Sequence, residues 1–482
     1  MLSILICHSY FLGFDEKQRE RAKPYPPLAT LQVAAMLREA GHHVSLFDAM
    51  LADGVEDFRA RVQSGSPQLV LLYEDTFNFL SKMCLGTMRA AACEMIEYAR
   101  RHGARVIAAG PDVSDTPKPY LNAGADLTLA GEGLYALLSL LPRLDRDPHV
   151  PTADLVEGVR GISYIADGKL RTLNGAKTLP NSLYTGFAAW DLVDMGRYRD
   201  IWMAEHGYFS LNLAGSRGCS FRCAWCAKPT WGNDYLQRSA RDVAAEMTRL
   251  KRDFEPHHIW FADDIFGFRV DWVSEFSAAL NAAHGGVPFT IQTRADLVSE
   301  RMAQALAEAG CQEAWLGAES GSQRVLDAMN KGTTIPAILN ARRQLKAVNI
   351  RVGFFIQLGY MGEQLDDIRA TRSLLHTAQP DEIGVSVSYP LPGTRFHELV
   401  KAQLGDKTRW QQSNDLEMMF HGTYTTDFYR EIRNLLHEEV RLQHAASSPG
   451  RTAENFMDRR WGDLIEREAQ FRHSRRQAAV SS

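Results

Sequence analysis

Three of the seven cysteines fall within eight positions, as Cys219, Cys223 and Cys226 in RGCSFRCAWCAKP. The other four, Cys7, Cys84, Cys93 and Cys311, are scattered, and the total is odd, which argues against a secreted disulfide framework. Thiolates this close can converge on one metal centre. A closed zinc site needs a fourth ligand, and no cysteine or histidine follows nearby; His206, His257, His258 or Cys311 would have to arrive from a distance. A four-iron cube needs only what is present, because three thiolates leave one iron open to an external chelating ligand. Three inert core thiols are the plainest alternative, since cysteine buries well, although the adjacent glycines and arginines do not suit it. Gly215 and Gly218 let the loop turn tightly around a bulky group.

The elements that must position this loop can be read outward from it. FSLNLAG precedes it as a strand, and HHIWFAD, PFTIQTR, QEAWLGAE, RVGFFIQLG and EIGVSVSYP follow as five more, separated by helical segments such as RDVAAEMTRLKRDF. Six β/α units predict a partial (β/α)6 barrel with its chemistry at the carboxyl ends of the strands. Upstream, LSILIC, HHVSLFDA, QLVLLYE, ARVIAAG and ADLTLAGEG alternate with helices, which predicts a doubly wound parallel sheet; the continuous apolar runs suit strands covered on both faces. GISYIADGKLRTL reads as a hairpin around Asp167-Gly168. The chain is therefore α/β, with a first domain over 1–145, a connector over 146–205, the barrel over 206–400 and a helical C-terminal extension over 401–482.

The spacing Cys-x3-Cys-x2-Cys, with Trp225 before the last cysteine, resembles the radical S-adenosylmethionine (radical SAM) superfamily. The resemblance implies a [4Fe–4S] cluster on Cys219, Cys223 and Cys226, with S-adenosylmethionine chelating the open iron and yielding a 5′-deoxyadenosyl radical on reduction. It also implies roles for residues at the strand ends. Asp263 and Asp264 would receive the S-adenosylmethionine amino group, as carboxylates accept charge-assisted hydrogen bonds well; an N-cap aspartate is the plainer reading of one of them. Arg294 would pair with the methionine carboxylate, against a surface salt bridge. Glu319 would meet the ribose, against a helix-start carboxylate. Gly359 would let backbone approach the adenine, with Ile356 and Leu358 as apolar walls.

The first domain resembles the cobalamin-binding domain of a large radical SAM subgroup, on PPLATLQVAAMLREAGHHVSLFDA, AAGPDVSDTPKPYL and GADLTLAGEG. Ligands of such sheets lie at the carboxyl edge. The candidates there are Glu74, Asp75 and Thr76, then Gly110 and Pro111, then Gly131, Glu132 and Gly133. The Asp-x-His-x-x-Gly pattern that supplies a lower histidine ligand elsewhere is absent; Asp48 stands at the matching place with no histidine two residues on.

The tail, KTRWQQSNDLEMMFHGTYTTDFYREIRNLLHEEV, resembles the branch of anaerobic magnesium-protoporphyrin monomethyl ester cyclases and related hopanoid-pathway enzymes. Trp410, Met418, Met419, Phe420, Tyr424 and Phe428 would floor a broad apolar pocket there, or serve as ordinary core. The resemblance implies an apolar, tetrapyrrole- or terpenoid-like small-molecule substrate and an electron donor such as flavodoxin or ferredoxin. The expected outcome is oxidative cyclisation or rearrangement; the alternatives are cobalamin-dependent C-methylation and a corrinoid- or metal-binding regulator without turnover. A net charge of −4 and the lack of a DNA-reading pattern argue against nucleic acid. MLSILICHSYFLGF has no basic start or small-residue cleavage site and reads as a strand, and no apolar run spans a bilayer, so the expected location is cytoplasmic. The mixed-sign stretch RRWGDLIEREAQFRHSRRQ leaves weak contact with a membrane surface open.

Overall fold

The computed structural model describes residues 1–78, 81, 83, 85–176, 186–226, 234–404, 416–445 and 451–473. These form two compact units. The first holds Met1–Cys219 and 234–262; the second holds Ser220–Cys226, 263–404 and 416–473.

In the first unit, strands β1 (Ser3–Cys7), β2 (His43–Phe47), β3 (Leu69–Tyr73), β4 (Arg105–Ala109), β5 (Leu127–Leu129), β6 (Ile162–Ala166) and β7 (Lys169–Leu173) form a sheet in the order β2-β1-β3-β4-β5-β6-β7. The first five run parallel, with Ile4 between Val44 and Leu69. Their apolar runs are buried along β3 and β4 because helices cover both faces. Leu5, Cys7, Val70, Leu72 and Val106 pack with Phe58, Met95 and Ile96 from the flanking helices. The chain leaves β1 toward β2 on one side and β3 on the other, so the carboxyl ends of β1 and β3 flank the switch point where such sheets bind ligands.

The hairpin expected at Asp167-Gly168 is present, and both residues have positive φ, as a two-residue primed turn requires. Its strand β6 joins β5 antiparallel and so extends the first sheet. Strand pairing of that kind depends on distant partners and leaves no local mark in the sequence.

The same unit contains β8 (Ser210–Leu213) parallel to β11 (His258–Phe261), and a short antiparallel pair, β9 (Ser216–Gly218) with β10 (Tyr235–Gln237). A fully buried carboxylate braces this region. Glu246 Oε1 accepts from Ala188 N–H and from the Trp190 indole, and its other oxygen pairs with Arg238 at 2.6 Å. Arg238 also donates to Ala214 O and, through its backbone, to Gly215 O, which fixes the turn into β9.

In the second unit, β12 (Phe289–Thr293), β13 (Cys311–Glu319), β14 (Arg351–Leu358) and β15 (Glu382–Val387) pair parallel in sequence order. All six expected barrel strands are thus present, two in the first unit and four in the second. Along β14, Phe354, Ile356 and Leu358 lie on one fully buried face, while Phe355 and Gln357 lie on the other. Gly321 permits a close backbone approach: a Cβ there would lie 2.2 Å from Ala370 O. The C-terminal helix Thr426–Ala445 is tied to helix Leu365–Ala378 by Arg372, which pairs with Glu439 at 2.7 Å and with Asp458 at 2.6 Å.

Glu246→Ala would remove the fully buried carboxylate that pairs with Arg238. Removing one partner of a buried pair costs about 3–5 kcal/mol. Urea denaturation of Glu246→Ala should show a loss of that size, and Glu246→Gln, which keeps the indole bond, a smaller one.

Candidate active site

The first half of the cysteine loop is set by β9. Its Arg217 pairs with Glu132 at 2.6 Å, both side chains being buried, and the guanidinium lies 5.3 Å from the Phe77 ring centroid. Glu132 is in the loop after β5, and its backbone oxygen accepts from the Tyr73 hydroxyl. A buried ion pair therefore joins the carboxyl edge of the first sheet to the strand that ends one residue before Cys219. Gly218 takes a left-handed φ of 73° as the chain turns into the cysteines.

The second half belongs to the second unit, where backbone bonds staple it. Ala224 N–H donates to Met329 O at 2.8 Å, Ala224 O accepts from Phe396 N–H at 2.9 Å, and Asn330 Nδ2 donates to Arg222 O. Phe396 opens the helix just after the PLPGT turn, so that proline-rich segment fixes the loop as well as the barrel mouth. Cys226 N–H meets Cys223 O at 3.4 Å, a tight turn that leaves both side chains half-buried. Cys219 and Cys223 are free thiols, and Cys219 is buried. Among the described residues no three His, Cys, Asp or Glu side chains are gathered into a preformed metal cage.

Around Cys223 lies a buried set of charges. Arg294 sits just past β12, is 4% exposed, and directs Nη1 at Cys223 Sγ, 3.7 Å away. Its Nη2 donates to Lys331 O at 2.7 Å and to Asp296 at 3.0 Å, and its guanidinium carbon lies 3.7 Å from the Phe221 ring centroid. The salt bridge expected as the plain alternative for Arg294 is present, with Asp296, but the guanidinium is buried and not on the surface. Lys331 Nζ donates to Glu319 Oε1 at 2.8 Å. Burial alone would lower the lysine pKa, but the charges of Glu319 and Cys223 outweigh it and the net direction is upward, so the ammonium stays charged. Glu319 ends β13 with φ 61°, beside a break in register, a strained conformation for a residue with a side chain. Gly317 makes room for the pair: a Cβ there would lie 2.6 Å from Lys331 Nζ and 2.7 Å from Glu319 Oε1.

Asp263 is buried and Asp264 half-buried, directly after β11. Asp263 O accepts from Gln292 Nε2 at 2.8 Å. The Trp225 Nε1, Gln357 Oε1, Ser388 Oγ and Thr333 Oγ1 atoms are buried without a hydrogen-bond partner, polar atoms of the kind a bound ligand satisfies. Gly359 has φ 74°, and a Cβ there would meet Met418 at 3.0 Å and Tyr429 at 3.3 Å. Ile356 and Leu358 were expected as walls beside it; they lie on the opposite face of β14 from Gln357, at 0% exposure. Met418, Met419, Phe420, Tyr424 and Phe428 are all buried, with Phe420 against Phe396 and Phe428 against Tyr424, so these tail side chains pack as core. Trp410 lies outside the described residues.

At the edge of the first sheet, Asp75 accepts from Ala29 N–H and Phe77 N–H. Thr76 is buried with its Oγ1 unpartnered. A Cβ on Gly110 would lie 2.7 Å from the Glu74 side chain, whose carboxylate accepts from Ser9 N–H and Oγ. Pro111 starts the helix that follows, and Gly131 N–H donates to Ser114 Oγ at 2.9 Å. A Cβ on Gly133 would lie 2.4 Å from Leu129. Asp48, which in sequence has no histidine two residues on, receives one from the position just after β1 instead: His8 Nε2 is 3.0 Å from Asp48 Oδ1, and Tyr198 donates to Oδ2 at 2.7 Å.

Sequence reasoning missed Lys331, Glu363 and the Glu132–Arg217 pair. Lys331 sits in MNKGTT, a loop with no strand-end signal. Glu363 is buried four residues after Gly359, with Oε2 accepting from Gly359 N–H at 2.7 Å and Oε1 unpartnered. Burial pushes its pKa from 4.5 up to about 8. The folded state thus holds this proton more tightly than the unfolded one. The stabilisation is full below pH 4.5 and is lost as pH rises toward 8, an effect of roughly 5 kcal/mol at most. The stability of Glu363→Gln relative to the parent, by denaturant titration, should rise across that window; equal slopes with pH would contradict the buried, protonated acid.

Comparison with known proteins agrees with this geometry. Residues 213–375 match the radical SAM superfamily model and residues 19–141 the B12 binding domain model. An uncharacterized methyltransferase of Pyrococcus horikoshii is 25% identical over 77% of this chain and 78% of its own length. The anaerobic magnesium-protoporphyrin IX monomethyl ester cyclase of Rubrivivax gelatinosus is 27% identical over 58% of this chain, which spans 49% of that enzyme. Among solved structures, the cobalamin-dependent S-adenosylmethionine radical enzyme OxsB, with aqua-cobalamin and S-adenosylmethionine bound, shares the fold with TM-score 0.65 and 19% identity, covering 83% of this chain and 55% of OxsB. No helix among the described residues is long and apolar enough to cross a membrane. The two matched domains imply a [4Fe–4S] cluster, S-adenosylmethionine and cobalamin as cofactors, and the chain is an enzyme that carries a radical SAM domain over 213–375 and a B12-binding domain over 19–141.

Proposed function

We propose that this enzyme transfers a methyl group to an unactivated carbon of a largely apolar small molecule. The observation that carries this reading is the buried Glu132–Arg217 pair, which ties the ligand edge of the B12-binding domain to the strand leading into Cys219. A methyl donor and a hydrogen-abstracting centre must serve one carbon, and a pair that fixes the strand leading into the first of the three cysteines suits that need. Oxidative cyclisation is the second reading, favoured by the likeness to the cyclase. Phe420, Tyr424 and Phe428 of the tail are buried, as ordinary core would be.

The donor chemistry of the chain fits the implied groups. Cys219, Cys223 and Cys226 would hold the cluster. Trp225, Asp263, Asp264, Glu319 and Gly359 would surround S-adenosylmethionine, with the unpartnered Trp225 Nε1 and Gln357 Oε1 as further donor and acceptor. Asp75, Thr76, Gly110, Pro111, Gly131, Glu132 and Gly133 would hold cobalamin, with Thr76 Oγ1 the atom in want of a partner. When bound, the cluster with S-adenosylmethionine supplies the radical, and the corrinoid supplies the methyl group. The protein's own part is to orient these groups: Lys331 fixes Glu319, the Ala224 staples fix the cysteine loop, and Glu132 fixes Arg217. The substrate class is tetrapyrrole- or terpenoid-like, the electron donor a flavodoxin or ferredoxin, and the location the cytoplasm. The units of function are a B12-binding domain over 1–145, a connector, a barrel over 206–400 and a helical extension from 401.

The test is anaerobic reconstitution with iron, sulfide and hydroxocobalamin, followed by reductant and S-adenosylmethionine. The parent should form 5′-deoxyadenosine and retain corrinoid through gel filtration, while Cys223→Ala should form at least ~100-fold less 5′-deoxyadenosine, as expected when a transition-state requirement is removed. A fully loaded, reduced enzyme that forms none sinks the radical reading, and one that retains no corrinoid through gel filtration sinks the methyl-transfer reading.

A further inference from the structure

We propose that Arg294 sets the reduction potential of the cluster by donating a hydrogen bond to the Cys223 sulfur. This rests on the reading that Cys223 ligates iron. The guanidinium is not free to follow a ligand. Asp296 holds one edge at 3.0 Å, the Lys331 carbonyl holds Nη2 at 2.7 Å, and the Phe221 ring covers one face at 3.7 Å. These three braces leave Nη1 pointing at Cys223 Sγ, 3.7 Å away, within the longer range usual for N–H donors to sulfur. The group is 4% exposed, so water does not compete for the donor or screen the charge.

A donor on a ligating thiolate withdraws electron density from the iron, and hydrogen bonds to the sulfurs are among the levers that set iron–sulfur potentials. The reduced cluster carries one more negative charge than the oxidised one, so a fixed N–H and a fixed cation favour reduction. Asp296 offsets part of the cation's field but does not take the Nη1 hydrogen bond from the sulfur. One electron enters from a low-potential one-electron donor, and Arg294 itself gains and loses nothing. Arg294 is therefore a positioning residue that acts through Cys223, in place of the clamp on the methionine carboxylate that the sequence suggested.

Potentiometric titration followed by electron paramagnetic resonance tests this on reconstituted full-length protein without S-adenosylmethionine. In Arg294→Gln the ratio of reduced to oxidised cluster at a fixed potential should fall about tenfold, equivalent to about 59 mV for one electron. Arg294→Lys, which keeps the charge and loses the planar fork, should fall between it and the parent. Phe221→Leu, which removes only the brace, should shift in the same direction by less. An unchanged potential in Arg294→Gln with full iron and sulfide content overturns the proposal, and a weaker S-adenosylmethionine Kd without a potential shift returns the residue to the carboxylate role. If Arg294→Gln does not load, unchanged potentials in both other variants overturn it equally. A parent protein that assembles no four-iron cluster overturns the underlying reading as well, which separates the two failures.

Discussion

The account depends on how little of the cysteine loop is left to side-chain freedom. Three thiols can hold a cube only if the backbone between them is fixed, and this chain fixes it by hydrogen bonds to Ala224 on both sides. One partner, Met329, adjoins the loop that presents Lys331; the other, Phe396, follows a proline turn. The segment that staples the cysteine loop at Met329 thus also presents Lys331, one of the charges near Cys223. Chemistry at the barrel mouth and order in the cysteine loop are, in this protein, consequences of one set of contacts.

Buried charge is the second theme. Glu246 with Arg238, Glu132 with Arg217, and Glu319 with Lys331 are ion pairs almost wholly out of water. Such pairs add little net stability over apolar residues of the same size, because desolvating both ions consumes most of the attraction. What they supply is register. The first fixes the turn into β9 and the second ties the β5 loop to β9. The third holds Glu319 in a left-handed conformation that its own backbone disfavours.

The architecture was legible because parallel strands covered on both faces are written as short continuous apolar runs, and every strand anticipated from such a run is present. The pieces that were not legible depend on partners far away in sequence. β6 joins β5 across more than thirty residues, and β9 and β10 are three residues each, too short for a pattern. The site divides the same way. Asp263, Arg294 and Glu319 could be named because they follow strands. Lys331 could not, since only the bulge after Gly317 carries Glu319 to it. Arg294 could be placed past a strand, but a sequence shows a guanidinium and not the ring, carbonyl and carboxylate that surround it. For the tail the sequence left both readings open, because a methionine- and aromatic-rich stretch reads the same whether it lines a pocket or fills a core.

The central claim is that three cysteines hold a four-iron cube with one iron lacking a protein ligand. Mössbauer spectroscopy of ⁵⁷Fe-reconstituted protein, before and after addition of S-adenosylmethionine, examines it most directly. The account predicts one iron in four whose parameters change on addition while the other three do not. Four irons indifferent to S-adenosylmethionine, or a protein that takes up a single zinc in preference to iron and sulfide, would contradict it.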